Sequence, residues 1–297
     1  MVKFSRIAVL MTCYNREATT LGCLDSLFRQ KIPSGVTLEV FLVDDGSTDG
    51  TAQAVRDRYP SVTIIKGDAT LFWCGGMRLA FMKAVHLGFD YYWWLNDDTL
   101  LFDNAISLLL KTAEEVRREN GRDGVIVGST IDPVTGKLSY GGSVGRTRWK
   151  PLGFKRIDPS DRPIRCDTMN GNCVLIPAAV VEAIGIISDY RHYFGDTDYG
   201  LRASDAGFGC WVAPGFIGEC RLNIKGDWKN PHKSFLERLR DLYTPKGLPP
   251  GEWKRFVKAH TGRAWPYYYI KPWLRVLFPN LRQNEETRPH QGGVAER

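Results

Sequence analysis

Polar residues able to contact a ligand follow directly on three short apolar segments. The groups span residues 12–16 (Thr-Cys-Tyr-Asn-Arg), 44–50 (Asp-Asp-Gly-Ser-Thr-Asp-Gly) and 96–99 (Asn-Asp-Asp-Thr). Each group alone is ordinary turn chemistry, because Asp, Asn, Ser and Gly dominate turns. In open α/β sheets, however, ligands bind at the carboxyl ends of the strands. Three such groups therefore predict a binding site along one sheet edge.

Asp97 and Asp98 are the most informative of these residues. They follow the aromatic run 91–95, so two carboxylates come directly after a buried strand. Adjacent carboxylates repel each other and lose hydration unless a cation or hydrogen-bond donors compensate. Mg²⁺ and Mn²⁺ prefer one or two carboxylates together with phosphate oxygens. The pair predicts a divalent cation on a diphosphate; the alternative is that one Asp caps the next turn and the other is solvated.

Other kinds of phosphate chemistry are not supported by the residue spacing. A haloacid-dehalogenase phosphatase needs a second Asp two residues after its nucleophile, and Gly46 holds that place after Asp44. Asp196 and Asp198 have the spacing, but residues 191–194 before them do not read as a buried strand. The sequence contains neither G-x-G-x-x-G after a strand nor G-x-x-x-x-G-K-[ST], so it supports neither a Rossmann dinucleotide site nor a P-loop.

The elements that position these groups alternate between strand and helix over the first half of the chain. Short apolar runs predict strands at 7–12, 38–43, 62–65 and 91–95. Periodic apolar spacing predicts helices around 21–28, 49–59, 76–87 and 103–119, the last capped by Asp103. Further on, the pattern predicts helices at 177–184 and 197–206 and a strand at 209–213. This alternation is typical of βαβ units and a mainly parallel sheet.

Four segments together resemble glycosyltransferase family 2, a large group of GT-A enzymes that build polysaccharides. They are residues 9–16, 43–51, 95–98 and 193–202, and they occur in the family's order. The resemblance covers about residues 7–213 and depends on the ordered set rather than on one segment. It implies an α/β GT-A fold with a mixed, mainly parallel central sheet flanked by helices, followed by a helical, aromatic C-terminal extension.

The resemblance also implies the roles of individual residues. Asp98 would hold Mg²⁺ or Mn²⁺ on the diphosphate of a UDP, dTDP or GDP sugar. Asp196 would be the general base for the acceptor hydroxyl, whose attack opposite the leaving diphosphate inverts the anomeric configuration. Asp198 and Asn172 are expected on the acceptor side. The residues expected to bind the donor are Thr12, Tyr14, Asn15, Arg16, Asp44, Asp45, Trp73, Gly75, Gly76, Arg78 and Asp97.

Two further segments bear on this resemblance. Residues 71–78 are similar to a donor-side loop of one bacterial branch, in which paired glycines before a helix let the backbone approach a diphosphate. Trp73 either stacks on the donor or is a core residue beside a tight turn. Many relatives carry a His shortly after the acceptor motif, and residues 216–221 contain none. Glu219 or a later residue is the expected substitute.

Composition limits the other functional classes. The net charge of +7 is not concentrated in a Lys/Arg run, so we expect no nucleic-acid partner. The seven cysteines are odd in number and contain no C-x-x-C pair, which argues against a disulfide framework and a structural zinc site. With no visible signal peptide and no apolar run long enough to span a bilayer, we expect a cytoplasmic protein.

We expect a catalytic domain over residues 1–213, with a nucleotide-sugar half to about 120 and an acceptor half from about 121. An extension over 214–282 and a disordered polar tail over 283–297 follow. Between 258 and 282, aromatic residues alternate with Lys and Arg, which suits peripheral contact with the inner face of a membrane. Prolines at 266, 272 and 279 predict short segments there rather than one long amphipathic helix. The alternative is that these aromatics cover the catalytic domain.

Two other functions remain open at this point. A sugar-nucleotide pyrophosphorylase needs a Gly-rich, Arg-containing loop after its first strand, and residues 12–15 do not provide one. A catalytically inactive membrane-surface protein of the same fold would not need both Asp98 and Asp196. We therefore expect an inverting glycosyltransferase that acts on a saccharide or lipid-linked acceptor in cell-surface polysaccharide or glycolipid synthesis.

Overall fold

The computed structural model describes residues 5–222, 228 and 230–278, in which most strands belong to one large sheet. The strands are β1 (Ser5–Cys13), β2 (Val36–Asp44), β3 (Thr63–Lys66), β4 (Tyr91–Leu95), β5 (Leu100–Leu101), β6 (Val125–Ile131), β7 (Leu138–Tyr140), β8 (Gly142–Val144), β9 (Lys155–Arg156), β10 (Ile164–Cys166), β11 (Thr168–Met169), β12 (Cys173–Pro177) and β13 (Cys210–Glu219). A small second sheet contains β11, β8 and β9.

The large sheet has the order β10-β13-β6-β12-β4-β1-β2-β3, with β5 beside β13 and β7 beside β6. The four strands β4, β1, β2 and β3 are parallel neighbours, and β13 runs parallel to β6. Strand β12 is antiparallel to both β4 and β6 and so joins the two parallel groups. The mixed, mainly parallel sheet predicted from the sequence is confirmed.

The core lies around β1 and β4. Residues 7–11 of β1 are fully buried, as are Trp93, Trp94 and Leu95 of β4. Strands covered on both faces need a continuous apolar run rather than an alternating one, and both segments have it. The polar groups begin directly after the buried carboxyl ends of these strands.

The helices are α1 (Glu17–Phe28), α2 (Thr51–Arg58), α3 (Phe72–Val85), α4 (Ala105–Asn120), α5 (Ala178–Ile184), α6 (Gly195–Asp205), α7 (Phe235–Tyr243), α8 (Pro250–His260) and α9 (Trp265–Leu277). Two predicted helix starts are corrected. Helix α3 begins at Phe72 rather than 76, because the Asp45 carboxylate accepts the backbone N–H of Phe72 at 3.0 Å. Asp103 does not cap α4; the Gln30 side chain accepts the N–H of Ile106 at 3.1 Å instead.

Contacts divide the chain into two compact units, residues 1–223 and 224–297. Strand β13 therefore lies wholly in the first unit, whereas the sequence predicted a boundary after 213. The second unit contains α7, α8 and α9, with a small core formed by Trp228, Leu242 and Val276. The predicted disordered tail, 283–297, lies outside the described residues.

Helix α9 corrects the prediction that prolines divide this region into short segments. It is continuous over 13 residues and includes both Pro266 and Pro272. Pro266 lies in the first turn, where a missing N–H removes no hydrogen bond. Pro272 lies within the helix and is buried, so packing compensates for the one hydrogen bond that it removes. No helix among the described residues has the length and apolar character to cross a bilayer.

Candidate functional site

The first two polar groups meet at the carboxyl ends of β1 and β2. Cys13 and Asp44, the last residues of these strands, are partners in the parallel register. Beyond them, the backbone N–H of Asn15 donates to Ser47 Oγ at 2.9 Å, and Asn15 Oδ1 accepts from the Thr48 N–H at 2.7 Å. Asn15 has a positive φ of 50°, which turns the chain sharply after the strand. The two loops predicted to bind the donor are thus joined to each other.

Asp44 and Asp45 hold backbone in place at this edge. Asp44 is buried and accepts the N–H of Ser47 at 3.1 Å. Asp45 is also buried and accepts the N–H groups of Ala69 at 2.9 Å and Phe72 at 3.0 Å. Asp45 therefore positions the segment that leads into α3. Their predicted contacts with the donor base remain predictions.

The start of α3 packs closely on β1. A Cβ at Gly76 would overlap the side chain of Thr12, so glycine is required for this approach. Arg78 extends elsewhere and donates to the Ile187 carbonyl at 2.6 Å. Gly75 lies in the first turn of α3, and Tyr14 is exposed at the end of β1. The structure thus gathers Thr12, Gly75 and Gly76 at one place and connects Arg78 to residue 187.

Arg16 bridges the two acids that follow β4. Its guanidinium donates to Asp97 Oδ1 at 2.8 Å and to Asp98 Oδ2 at 3.1 Å. Thr20 donates to the other oxygen of Asp97 at 3.4 Å. Asp97 is buried, whereas Asp98 is only partly buried and lines a cavity. Arg16, Asp97 and Asp98 therefore lie together, and Arg16 contacts both acids directly. Their roles toward donor and metal stay predictions.

Burial has a marked electrostatic effect on this carboxylate pair. It raises the pKa of Asp97 to about 7, a shift opposed by Arg16 and reinforced by the negative charge of Asp98. Burial lowers the pKa of Arg16, but the two carboxylates outweigh it and the net shift is upward. An additional positive charge beside Asp97 would therefore favour its ionised form.

Cys220 lies in residues 216–221, the stretch where the family resemblance predicts a substitute for a His. Its thiol donates to Asp98 Oδ1 at 3.3 Å and accepts from Asn172 Nδ2 at 3.3 Å. Burial and the neighbouring Asp98 raise the pKa of this thiol well above its ordinary value. Sequence reasoning expected Glu219 or a later residue here and did not identify Cys220. The only signal was its place directly after Glu219.

A cavity of about 300 Å³ opens beside these acids. It is lined by Arg16, Thr19, Asp98, Leu100, Pro133, Glu219, Cys220 and Arg221. Glu219 therefore lines the same cavity as Asp98, and its role in place of a His stays a prediction. Among residues 5–222, 228 and 230–278, however, no three His, Cys, Asp or Glu side chains are arranged to hold a metal ion.

Asp196 lies in the first turn of α6, with its carboxylate held by backbone. It accepts the N–H of Gly171 at 3.0 Å and of Thr197 at 2.7 Å. A Cβ at Gly171 would overlap the ring of Trp73 and lie 3.2 Å from Asp196 Cβ. Trp73 in turn donates to Asn96 Oδ1 at 2.7 Å. Trp73 and Asp196 thus both lie against Gly171, and Trp73 also contacts the group that follows β4.

The two predicted acceptor-side residues have different surroundings. Asn172 is buried, accepts from the Thr99 hydroxyl at 3.0 Å and donates to Cys220. Asp198 is buried and accepts from Ser188 at 2.6 Å and from Arg202 at 2.8 Å. Asn172 is thus connected to the acidic pair, whereas Asp198 connects α6 to the loop after α5.

Comparison with known proteins gives the family and the fold. The model of the family described as glycosyl transferase family 2 matches residues 8–180, which is more than half of the chain. N-acetylglucosaminyl-diphospho-decaprenol L-rhamnosyltransferases from two strains of Mycobacterium tuberculosis are 26% identical over 195 residues. These alignments cover 58% of this chain and 62% of each relative, so the chain spans less than two thirds of their length.

Two solved structures show the same architecture at low sequence identity. S. aureus TarS superposes with a TM-score of 0.56 and 14% identity, over 91% of this chain and 90% of that one. The Pyrobaculum calidifontis mannosyltransferase PcManGT was solved with GDP-Man and Mn²⁺. It superposes with a TM-score of 0.51 and 17% sequence identity, over 92% of this chain and 74% of the mannosyltransferase chain. The chain therefore belongs to glycosyl transferase family 2 and has the GT-A fold.

Proposed function

We propose that the protein is a metal-dependent, inverting glycosyltransferase that moves a sugar from a nucleotide diphosphate carrier to an acceptor hydroxyl. One observation carries the proposal: Gly171 and Asn172, adjacent in sequence, contact both halves of the predicted site. The Gly171 N–H binds the Asp196 carboxylate. The Asn172 side chain binds Cys220, which donates to Asp98. The predicted base and the predicted metal ligand are therefore connected through one short segment.

The carboxylate pair fits a divalent cation. A single guanidinium, that of Arg16, lies against both acids, so the protein already places a positive charge there. Mg²⁺ and Mn²⁺ need only one or two carboxylates when diphosphate oxygens and water supply the remaining ligands. Asp98, the more accessible acid, would be the direct ligand, with Asp97 beside it. When bound, the cation supplies neutralisation of the negative charge that grows on the leaving diphosphate.

Asp196 takes the proton of the acceptor hydroxyl in this proposal. Two backbone N–H groups hold its carboxylate, which fixes its direction before the acceptor binds. The deprotonated hydroxyl attacks the anomeric carbon on the face opposite the leaving diphosphate, so the configuration inverts. Trp73, packed against Gly171, excludes water from one side of this space and offers a ring for a sugar or base.

The relatives suggest the kinds of substrate. PcManGT was solved with GDP-Man, and the mycobacterial relatives are named for a sugar acceptor joined to decaprenol through a diphosphate. By analogy, the donor is a UDP, dTDP or GDP sugar, and the acceptor is a saccharide, free or linked to a lipid diphosphate. Such a reaction belongs to the synthesis of cell-surface polysaccharide or glycolipid.

The proposal is tested by incubating the full chain with UDP, dTDP and GDP sugars and a prenyl-diphosphate-linked saccharide. Release of nucleoside diphosphate should require Mn²⁺ or Mg²⁺ and should increase with the acceptor, and NMR of the product should show an inverted anomeric centre. Asp98→Ala should abolish transfer, and Asp196→Asn should reduce it by about 10² to 10⁴. The matched control is Asp103→Asn, which changes an exposed acid after β5 and should retain wild-type transfer activity.

The same donors, incubated in a further arm with pyrophosphate, separate the two alternatives. A pyrophosphorylase would convert the nucleotide sugar and pyrophosphate into a nucleoside triphosphate and a sugar phosphate. An inactive protein of this fold would bind a nucleotide without turning over any donor in the panel. Either result would contradict the proposed transfer reaction.

A further inference from the structure

Helix α9 has apolar residues on two opposite faces. One face is buried within the second unit: Val276 packs with Trp228 and Leu242, and Pro272 is buried on the same face. The opposite face is open to solvent, and its apolar side chains are each 46–58% exposed. They are Tyr267, Ile270, Leu274, Leu277 and, directly after the helix, Phe278.

The open face is one continuous stripe. Positions 267, 270, 274 and 277 are three or four residues apart, so they lie one above another along a single side of the helix. A surface helix of a monomeric soluble protein normally presents charged or polar residues there. Contiguous exposed apolar surface of this kind marks a place where a partner or a membrane binds.

The charges of α9 and of the segment that precedes it are all of one sign. Residues 253–278 contain six Lys or Arg and no Asp or Glu: Lys254, Arg255, Lys258, Arg263, Lys271 and Arg275. Lys271 and Arg275 are one turn apart on α9 and border the stripe. Lys271 Nζ lies 5.5 Å from the ring centre of Tyr267, and Lys258 Nζ lies 4.7 Å from that of Trp265. An apolar stripe bordered by cations and aromatic rings matches a surface with apolar chains below an anionic layer.

We propose that the outer face of α9 docks on an anionic lipid surface. The stripe enters the boundary between headgroups and acyl chains, while Lys271 and Arg275 contact lipid phosphates. A helix of 13 residues is about 20 Å long and lies in the plane of the surface rather than across the bilayer. A second copy of the chain fits less well, because pairing two such faces would bring like charges together.

The test is co-sedimentation of the full chain with phosphatidylcholine vesicles and with vesicles that also contain phosphatidylglycerol. At about 50 mM salt, we expect the bound fraction on anionic vesicles to exceed that on neutral ones by about tenfold, with most of the gain lost at about 500 mM. Equal binding to both vesicles, or binding to neither, would overturn the proposal. The assay measures binding without turnover, so its result is independent of the proposed enzymatic activity.

Variants assign the binding to α9. Ile270→Gln with Leu274→Gln should reduce anionic-vesicle binding about tenfold, and Lys271→Glu with Arg275→Glu should remove its salt dependence. The matched control, Leu87→Gln with Val134→Gln, changes two exposed apolar residues of the first unit and should bind as wild type. Circular dichroism confirms that each variant is folded. Wild-type vesicle binding by the stripe variant, or a dimer that this variant abolishes without any vesicle binding, would contradict lipid docking.

Discussion

Arg16 occupies the place of a cation, so removing it should strengthen metal binding. In Arg16→Ala the two carboxylates lose their bridging guanidinium, and an incoming Mn²⁺ no longer has to displace it. A hydrogen bond to a charged group contributes about 1.5–3 kcal/mol. Arg16 makes two, but its side chain is 40% exposed. Since solvent screens an exposed pair, we count about 2 kcal/mol in total rather than the full sum.

An energy of about 2 kcal/mol corresponds to roughly 30-fold in a dissociation constant. Isothermal titration of the nucleotide-free protein with Mn²⁺, at about pH 8 where Asp97 of the wild type is largely ionised, should therefore show Arg16→Ala binding roughly 30-fold tighter than wild type. Arg58→Ala, which removes a partner of Asp25 outside the site, is the control and should leave Mn²⁺ affinity unchanged. Unchanged or weaker Mn²⁺ binding in Arg16→Ala would refute the reasoning, because Arg16 would then support the metal rather than compete with it.

Three further perturbations follow from the same contacts. The folded pKa of Asp97 is about 7 against an ordinary 3.8, so its contribution to stability is complete at low pH and is lost as pH rises through 7. In chelator, wild type should lose on the order of 3 kcal/mol of unfolding free energy relative to Asp97→Asn between about pH 5 and about pH 8, measured by urea titration. Asp198→Ala leaves Arg202 without its buried partner and should cost about 3–5 kcal/mol by the same method, while nucleotide affinity at low temperature stays unchanged. In Gly171→Ala the added Cβ would overlap Trp73 and crowd the Asp196 side chain, so one of them must move. We expect kcat to fall at least about tenfold, with little effect on nucleotide affinity.

Each of these expectations has an outcome that contradicts it. A stability difference between wild type and Asp97→Asn that does not vary with pH would mean that Asp97 has an ordinary pKa. Wild-type stability in Asp198→Ala, combined with loss of turnover, would point to an acceptor-binding role instead of a structural one. For Gly171→Ala the control is Gly251→Ala, where a Cβ meets no atom within 4 Å. Equal kcat in both glycine variants would show that the packing of Trp73 on Gly171 does not hold the base in place.

The sheet edge could be predicted because its signal is local. Strands β1, β2 and β4 each contain a continuous apolar run near their carboxyl ends, and polar residues begin where each run ends. Parallel pairing of these strands then brings Asn15, Ser47 and the acidic pair to one edge. The sequence thus contained both the strands and the positions of the polar groups.

The missed features depend on contacts between distant residues. Asp45 initiates α3 from 27 residues away, so the pattern around the paired glycines gave no sign of the earlier helix start. Cys220 reaches Asp98 across 122 residues because β13 pairs with β5, and a lone cysteine gives no spacing to recognise. Pro272 reads as a helix breaker in sequence, and only the packing of α9 shows that the helix continues.

The central claim is that Asp98 serves the metal and the donor while Asp196 serves only the acceptor. Titration of wild type, Asp98→Ala and Asp196→Asn with a nucleoside diphosphate, with and without Mn²⁺, tests it most directly. We predict Mn²⁺-dependent binding in wild type and in Asp196→Asn, with transfer by the latter reduced by about 10² to 10⁴. Asp98→Ala should lose the Mn²⁺ dependence and the transfer together. Mn²⁺-dependent binding that persists in Asp98→Ala, or is lost in Asp196→Asn, would contradict the assignment.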